Sequence, residues 1–381
     1  MSRSRDLLQT LVGFDTTSRE SNLQLIEFVR DYLAGFGVAS ELIYNAEGSK
    51  ANLFASVGPI ELPGIVLSGH TDVVPVDGQP WTLPPFQLTE RDGKLYGRGT
   101  ADMKGYIACV LALVPELVKA PLRLPLHIAL SYDEEVGCLG VRSLLGVLAQ
   151  RPVKPMLCMI GEPTELKPVL GHKGKLAMRC DVHGQACHSA YAPSGVNAIE
   201  HAAELIGELG RIGQRLRAHQ DPRFDPPFST VQTGVISGGK ALNIVPSDCR
   251  FDFEIRALPL TDPGEVAEAL QAYAMQEVLP RMQAVSRQSS IRFTELSAYP
   301  GLVTDERSQA AELIAAFSGS RAFGTVAFGT EGGLFDAVGI PTVVCGPGSM
   351  DQGHKPDEFV SLEQLKGCDA MLQRMLDWLR I

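Results

Sequence analysis

Seven side chains have the types and the spacing that metal-assisted hydrolysis needs: His70, Asp72, Asp102, Glu134, Glu135, Glu162 and His354. In LSGHTDVVP an apolar run (Ile65, Val66, Leu67) stops at an imidazole and a carboxylate two residues apart. Residues two apart in extended chain point to the same side, so His70 and Asp72 can face one site. Alone, such a pair is equally well explained by a polar turn. The same ending recurs, however. Residues 126–130 lead into SYDEEVG with Glu134 and Glu135, 156–160 into GEPTE with Glu162, and 342–345 into CGPGSMDQGH with His354. Asp102, in LYGRGTADMKG, stands just before an apolar helical pattern.

The donors fit one chemistry. Two imidazoles and three carboxylates, with no thiolate, suit Zn2+, with Co2+ or Mn2+ as substitutes. Five ligands are too many for one tetrahedral ion. A bridging carboxylate from Asp102 would divide them between two ions, about 3.5–4 Å apart in such pairs, with a shared water. Of the adjacent Glu134 and Glu135, one can bind metal while the other faces that water as general base. Near two cations Glu134 is expected to stay ionised. Asp72 is then the partner that fixes the tautomer of His70.

The elements that must position these groups read as α/β. The apolar runs are nearly continuous, as expected for strands of a mostly parallel sheet covered on both faces, and ligands bind beyond the carboxyl ends of such strands. Residues 21–37 predict an amphipathic helix with Leu23, Ile26, Val29, Leu33 and Phe36 on one face. From about Lys175 the texture changes. A strand (KLAMRCDVHG), a helix over 197–217 and a strand (FSTVQTGVISGG) come first. A strand with alternating Cys249, Phe251, Phe253 and Ile255, a helix over 263–278 and a strand (SIRFTEL) follow. That β-α-β-β-α-β order is the ferredoxin-like arrangement. The expectation is a discontinuous catalytic domain (1–174 and 298–381) with a domain inserted at 175–297. RAHQDPRFDPPF, with its three prolines, reads as a surface excursion.

Composition narrows the classes. The 381 residues, 45% hydrophobic and 20% charged, exceed the roughly 250–300 at which single cores stop growing. A net charge of -10 argues against nucleic acid or an anionic membrane as partner, and no window approaches the roughly 20 apolar residues of a membrane span. The eight cysteines form no C-x-x-C pair and read as reduced and structural, favouring a cytoplasmic setting. The start lacks the apolar core of a signal peptide. His127, His172, His183, His201 and His219 read as structural or exposed.

SGHTDVVP, LYGRGTADMKG, DEEVG, GEPT and GH-x-PDEFV, in that order, resemble the dinuclear zinc amidohydrolases of the aminoacylase and carboxypeptidase family over essentially the whole chain. The resemblance implies a zinc-exopeptidase-like α/β catalytic domain with an inserted α+β ferredoxin-like dimerisation (lid) domain, and hence a homodimer. It implies two divalent metal ions, zinc or cobalt: His70 and Glu162 on one, Glu135 and His354 on the other, Asp102 bridging. Glu134 becomes general base and acid, and a non-proline cis peptide is expected after Asp102. HSAY supplies His188 and Tyr191, and NIVP supplies Asn243. In relatives such a His and Asn reach across the dimer, so His188 would donate to the oxyanion. Arg256 in FEIRALP looks like the clamp for a substrate carboxylate, with Lys173, Gly329 and Thr330 as further contacts. The implied reaction is hydrolysis of an N-acyl amino acid with a small acyl group, N2-acetyl-L-ornithine first. Succinyl-diaminopimelate, acetylcitrulline, a broader aminoacylase range and a glutamate carboxypeptidase range remain alternatives. A non-catalytic binding protein on this scaffold would be expected to lose a ligand or the base, and all six positions are filled.

Overall fold

The structure is a computed structural model that describes residues 2–381. It divides into two compact units: residues 1–171, 302–325 and 330–381 form the first, and 172–301 with 326–329 the second.

The first unit is built on a sheet. Its main path runs Ser40–Tyr44, Ala51–Val57, Leu126–Ser131, Ile65–His70, Leu157–Pro163, Thr342–Gly346, Val169–His172, Leu302–Val303. The strands at 126, 65, 157 and 342 are mutually parallel, and antiparallel strands flank them. All four parallel strands are buried at every residue, which requires cover on both faces. Helix Lys104–Leu117 is apolar almost all round, and only Glu116 is exposed, as a core helix should be. Arg3–Val12 and Leu362–Leu379 pack on it within the same core.

The amphipathic helix expected over 21–37 spans Leu23–Ala34 and buries Leu25, Ile26, Val29 and Leu33. It stops at Gly35, and Gly37 adopts φ 76°. Phe36 therefore sits in the turn, 38% exposed, rather than on the helix face.

The second unit has the β-α-β-β-α-β order. Its four strands lie side by side as Thr230–Gly238, Asp248–Ala257, Gly174–His183, Ser290–Tyr299, all antiparallel. Cys249, Phe251, Phe253 and Ile255 all enter its core, with Leu176, Met178, Cys180 and Val182 from the neighbouring strand. Ala198–Leu216, capped by the Asn197 side chain, and Pro263–Tyr273 complete it. The second helix outruns its expected end. It passes through a π turn at Ala274–Val278 and continues as Leu279–Val285, where Pro280 lacks the N–H that an α turn would use. Thr230–Gly238 is one of the two edge strands and is largely exposed.

The proline-rich loop is pinned rather than free. Phe224 is 4% exposed, and the ammonium of buried Lys173 donates to the carbonyls of Pro226 and Phe228, each at 2.7 Å. Seven of the eight cysteines are buried, Cys187 is half-buried, and all eight are unpaired. No helix among the described residues is long and apolar enough to cross a membrane.

Candidate metal centre

The strand ends deliver their side chains to one place in the first unit. Asp102 is the hub: its Oδ1 lies 2.9 Å from His70 Nε2 and its Oδ2 3.3 Å from His354 Nε2. Glu162 Oε1 stands 3.6 Å from the same His70 nitrogen, and Glu135 Oε2 3.0 Å from that of His354. Two triads result, His70–Asp102–Glu162 and Asp102–Glu135–His354, each with its ligand atoms within 4.8 Å of one another. The first is wholly buried, whereas the His354 side chain is 52% exposed. The Asp102–Met103 peptide is cis, as expected.

These groups fit a pair of divalent cations. The donors are nitrogen and oxygen only, and Asp102 joins the triad of Glu162 to that of Glu135. Glu135 Oε1 is buried without a hydrogen-bond partner, an arrangement that costs free energy unless something cationic meets it.

Asp72 meets His70, with its backbone carbonyl rather than its carboxylate as the nearer group. The Nδ1 of His70 meets the Asp72 backbone carbonyl at 2.9 Å, while the Asp72 carboxylate is 3.6 Å away. A carbonyl only accepts, so Nδ1 carries the proton and Nε2 is left for metal. The Asp72 carboxylate instead accepts the backbone N–H groups of Glu134 (3.1 Å) and Glu135 (3.2 Å) and the hydroxyl of Ser18 (2.7 Å).

The electrostatics reflect crowding of like charge. Burial pushes the Glu134 carboxyl well above the carboxylate range; His70 counteracts this, and Glu135 and Glu331 add to it. Burial and then Asp102 raise Glu135 to about 7, and the same two causes raise Glu162 well above its ordinary value. Burial alone would also raise Asp102, but His354 and His70 outweigh it and hold the carboxyl below the usual range. Hydrogen bonds to Asp102 and Glu135 raise His354 to about 11. His70 is raised well above its ordinary value because Asp102 and Asp72 outweigh its burial. Cations at the triads would reverse this for the carboxylates, keeping Glu134 ionised.

The second unit holds most of the expected substrate contacts. His188 is exposed, and its Nδ1 accepts the N–H of Ala190 at 3.1 Å. The exposed Tyr191 ring stands edge-on to it at 6.3 Å. Asn243 is exposed alongside, its carbonyl accepting the N–H of Ser189 at 3.0 Å. Arg256 donates to Tyr299 Oη at 2.9 Å and to Glu254 Oε1 at 3.2 Å. Gly329 falls in this unit, and the Tyr299 ring occupies the space where a Cβ would come to 2.0 Å. Lys173, whose ammonium meets two carbonyls, fastens the proline-rich loop. Thr330, in the first unit, is buried and accepts the N–H of Gly332 at 2.9 Å. His127 is a satisfied core histidine: its Nδ1 lies 2.8 Å from Ser56 Oγ, and burial lowers it to about 4.

Several partners escaped the motif reading. Ser18 comes from a distant turn and carries no local signal. Glu331, in FGTEGG, is buried with one oxygen unpartnered, and burial raises it to about 7. Glu358 lies inside GH-x-PDEFV, so its position was in view but its contacts were not.

Residues 66–378 match the family described as peptidase family M20/M25/M40. The acetylornithine deacetylase of Myxococcus xanthus is 37% identical over 378 residues, covering 97% of this chain and 96% of that protein. That of Pasteurella multocida (strain Pm70) is 36% identical over 373 residues, covering 96% and 94%. Among solved structures, an M20 family metallo-carboxypeptidase from Sulfolobus solfataricus superposes with a TM-score of 0.79 at 18% identity, covering 99% of each chain. A dinuclear metal-binding M20 peptidase of Bacillus subtilis superposes at 0.65 with 15% identity, covering 99% and 98%.

Proposed function

This chain belongs to peptidase family M20/M25/M40, and from that premise we propose that it hydrolyses N2-acetyl-L-ornithine to L-ornithine and acetate. The observation that carries the reaction class is the division of Asp102, one oxygen towards His70 and the other towards His354. The choice of substrate is supported by the full-length likeness to acetylornithine deacetylases.

His70 and Glu162 would hold one divalent ion, Glu135 and His354 the other, with Asp102 between them; zinc suits this donor set and cobalt can replace it. When bound, the pair would acidify a water and polarise the acyl carbonyl. Glu134 takes the proton from the attacking water and returns it to the departing amine. Asp72 holds Glu134 and His70 in register.

The second unit (175–297 by the sequence boundaries) is assigned to dimerisation and lid closure, and the first to catalysis. Val235 and Ile236 on its edge strand are exposed, as are Leu242 and Ile244 beyond it, which supports a homodimer through this unit. His188 and Asn243 would then serve the partner's site, His188 donating to the oxyanion, with Tyr191 beside it. Arg256, its ring neighbour Tyr299, Gly329 and Thr330 are assigned to the substrate α-carboxylate and acyl group. The unpaired cysteines support a reducing compartment such as the cytoplasm.

The test is turnover of the zinc- or cobalt-supplemented protein on acetylornithine, acetylcitrulline, acetylmethionine and succinyl-diaminopimelate. A clear preference for acetylornithine is expected. Comparable turnover on all four would sink the narrow assignment and leave the amidohydrolase reaction standing.

A further inference from the structure

Glu358 and Arg98 form an ion pair at 2.8 Å with side chains 0% and 1% exposed. A buried pair is weak evidence for stability, because desolvation offsets the attraction. Its contacts are more telling. Glu358 Oε2 accepts from Arg98 Nη1 (2.8 Å) and from the Gly99 N–H (3.0 Å). Oε1 accepts the N–H groups of Ala101 (2.9 Å) and Asp102 (3.0 Å). Four donors fill the roughly four lone-pair sites of an ionised carboxylate. The backbone that carries Asp102 thus hangs from one side chain.

Arg98 extends the grip in the other direction. Its Nη1 also reaches the Lys355 carbonyl at 3.3 Å, and its Nη2 donates to Gln79 Oε1 at 2.6 Å. Gln79 Nε2 in turn donates to the His354 carbonyl at 2.9 Å. His354 needs such support: it has φ 62° and a half-exposed side chain, so its own packing fixes it poorly.

We infer that Glu358 is a positioning residue that sets Asp102 and His354 at one fixed separation, through the Asp102 N–H on one side and the Arg98–Gln79 link on the other. The inference rests on the metal-pair reading above, in which these two residues share an ion. Its two arms differ in reach. Loss of Glu358 disturbs Asp102 and therefore both triads, whereas loss of Gln79 disturbs only the triad containing His354.

The test is calorimetric titration of metal-free protein with Zn2+, repeated with Co2+ and read by visible absorption, for wild type, Glu358→Gln and Gln79→Ala. Near-ultraviolet circular dichroism of the same samples reports the folded fraction. Glutamine would turn an NH2 group towards backbone donors, so Glu358→Gln is expected to weaken both binding steps by roughly 10–100-fold, the usual effect of losing an outer partner of a metal ligand. Gln79→Ala is expected to weaken one step and spare the other, a selectivity that general loosening of the fold would not produce. Wild-type affinity in folded Glu358→Gln, or two unaltered steps in Gln79→Ala, would overturn the inference. Fewer than two ions on the wild-type chain would instead overturn the metal-pair reading.

Discussion

The carboxylate of Asp72 accepts the backbone N–H of Glu134 at 3.1 Å. The same residue's carbonyl holds the ring of His70 at 2.9 Å. One residue therefore registers the proposed base against a proposed ligand. Asp72→Ala should keep the fold and lower kcat by roughly 10–100-fold, with KM changed much less. A variant with wild-type kcat would show that the 134–135 loop holds itself.

Glu134→Gln should bind metal as the wild type does and lose about 10²–10⁴ in kcat, the usual worth of a positioned acid–base group. Metal content and turnover on one preparation decide this. Residual activity near wild type would remove Glu134 as the base.

Metal binding should release protons. In the metal-free site His354, raised to about 11, carries a proton at neutral pH, Glu135 (about 7) is partly protonated, and His70 is raised above its ordinary value. A ligand must shed its proton to bind, so protons compete with metal and apparent affinity should fall as pH falls. Titrations between about pH 6 and 8 in buffers of different ionisation enthalpy measure both effects. Heat independent of buffer, together with flat affinity, would contradict the reading.

What the sequence made legible follows from locality. The proposed ligands and the base stand beside short runs whose apolar pattern is visible locally, Asp102 before its helix and the others at or after the ends of strands, so His70, Asp102, Glu134, Glu135, Glu162 and His354 could be read in order. The alternation of Cys249, Phe251, Phe253 and Ile255 likewise carried over into a buried face, because a strand's period is fixed by backbone geometry. What was not legible depends on groups far apart in the chain. Ser18 meets Asp72 only after folding, and the carboxylate of Glu358 closes on backbone N–H groups that no composition signal marks. Lys173 shows the same limit: its charge is visible in the sequence, but the two carbonyls that its ammonium meets are not. Nor does anything local mark that the Tyr299 ring fills the space a Cβ on Gly329 would need.

Arg256→Met should raise KM for the acyl amino acid by roughly 10–100-fold, since a charged hydrogen bond is worth about 1.5–3 kcal/mol, with kcat less affected. Steady-state kinetics on acetylornithine and on its carboxamide separate the cases. An equal loss on both substrates would mean that Arg256 supports Tyr299 rather than a carboxylate.

His188→Ala should lower kcat by roughly 10²–10³, as removal of an oxyanion donor does. Mixed with Glu134→Gln subunits it should regain part of the activity, because one site in the mixed dimer would then be intact. Absence of rescue counts against a site completed by a second subunit.

Residues Val169–His172 and Leu302–Val303 are neighbours in the first unit's sheet, although some 130 residues of chain separate them. Within the second unit the two ends also nearly touch: a Cβ on Gly174 would lie 2.8 Å from the nitrogen of Gly301. The entropy of closing a loop grows only slowly with its length, and here the intervening chain is itself folded with its ends together. For the first unit, the insertion is topologically little more than a hairpin turn. Such a junction lets the inserted cassette diverge in sequence, or be replaced by one of another size, while the sheet that carries the ligands keeps its register.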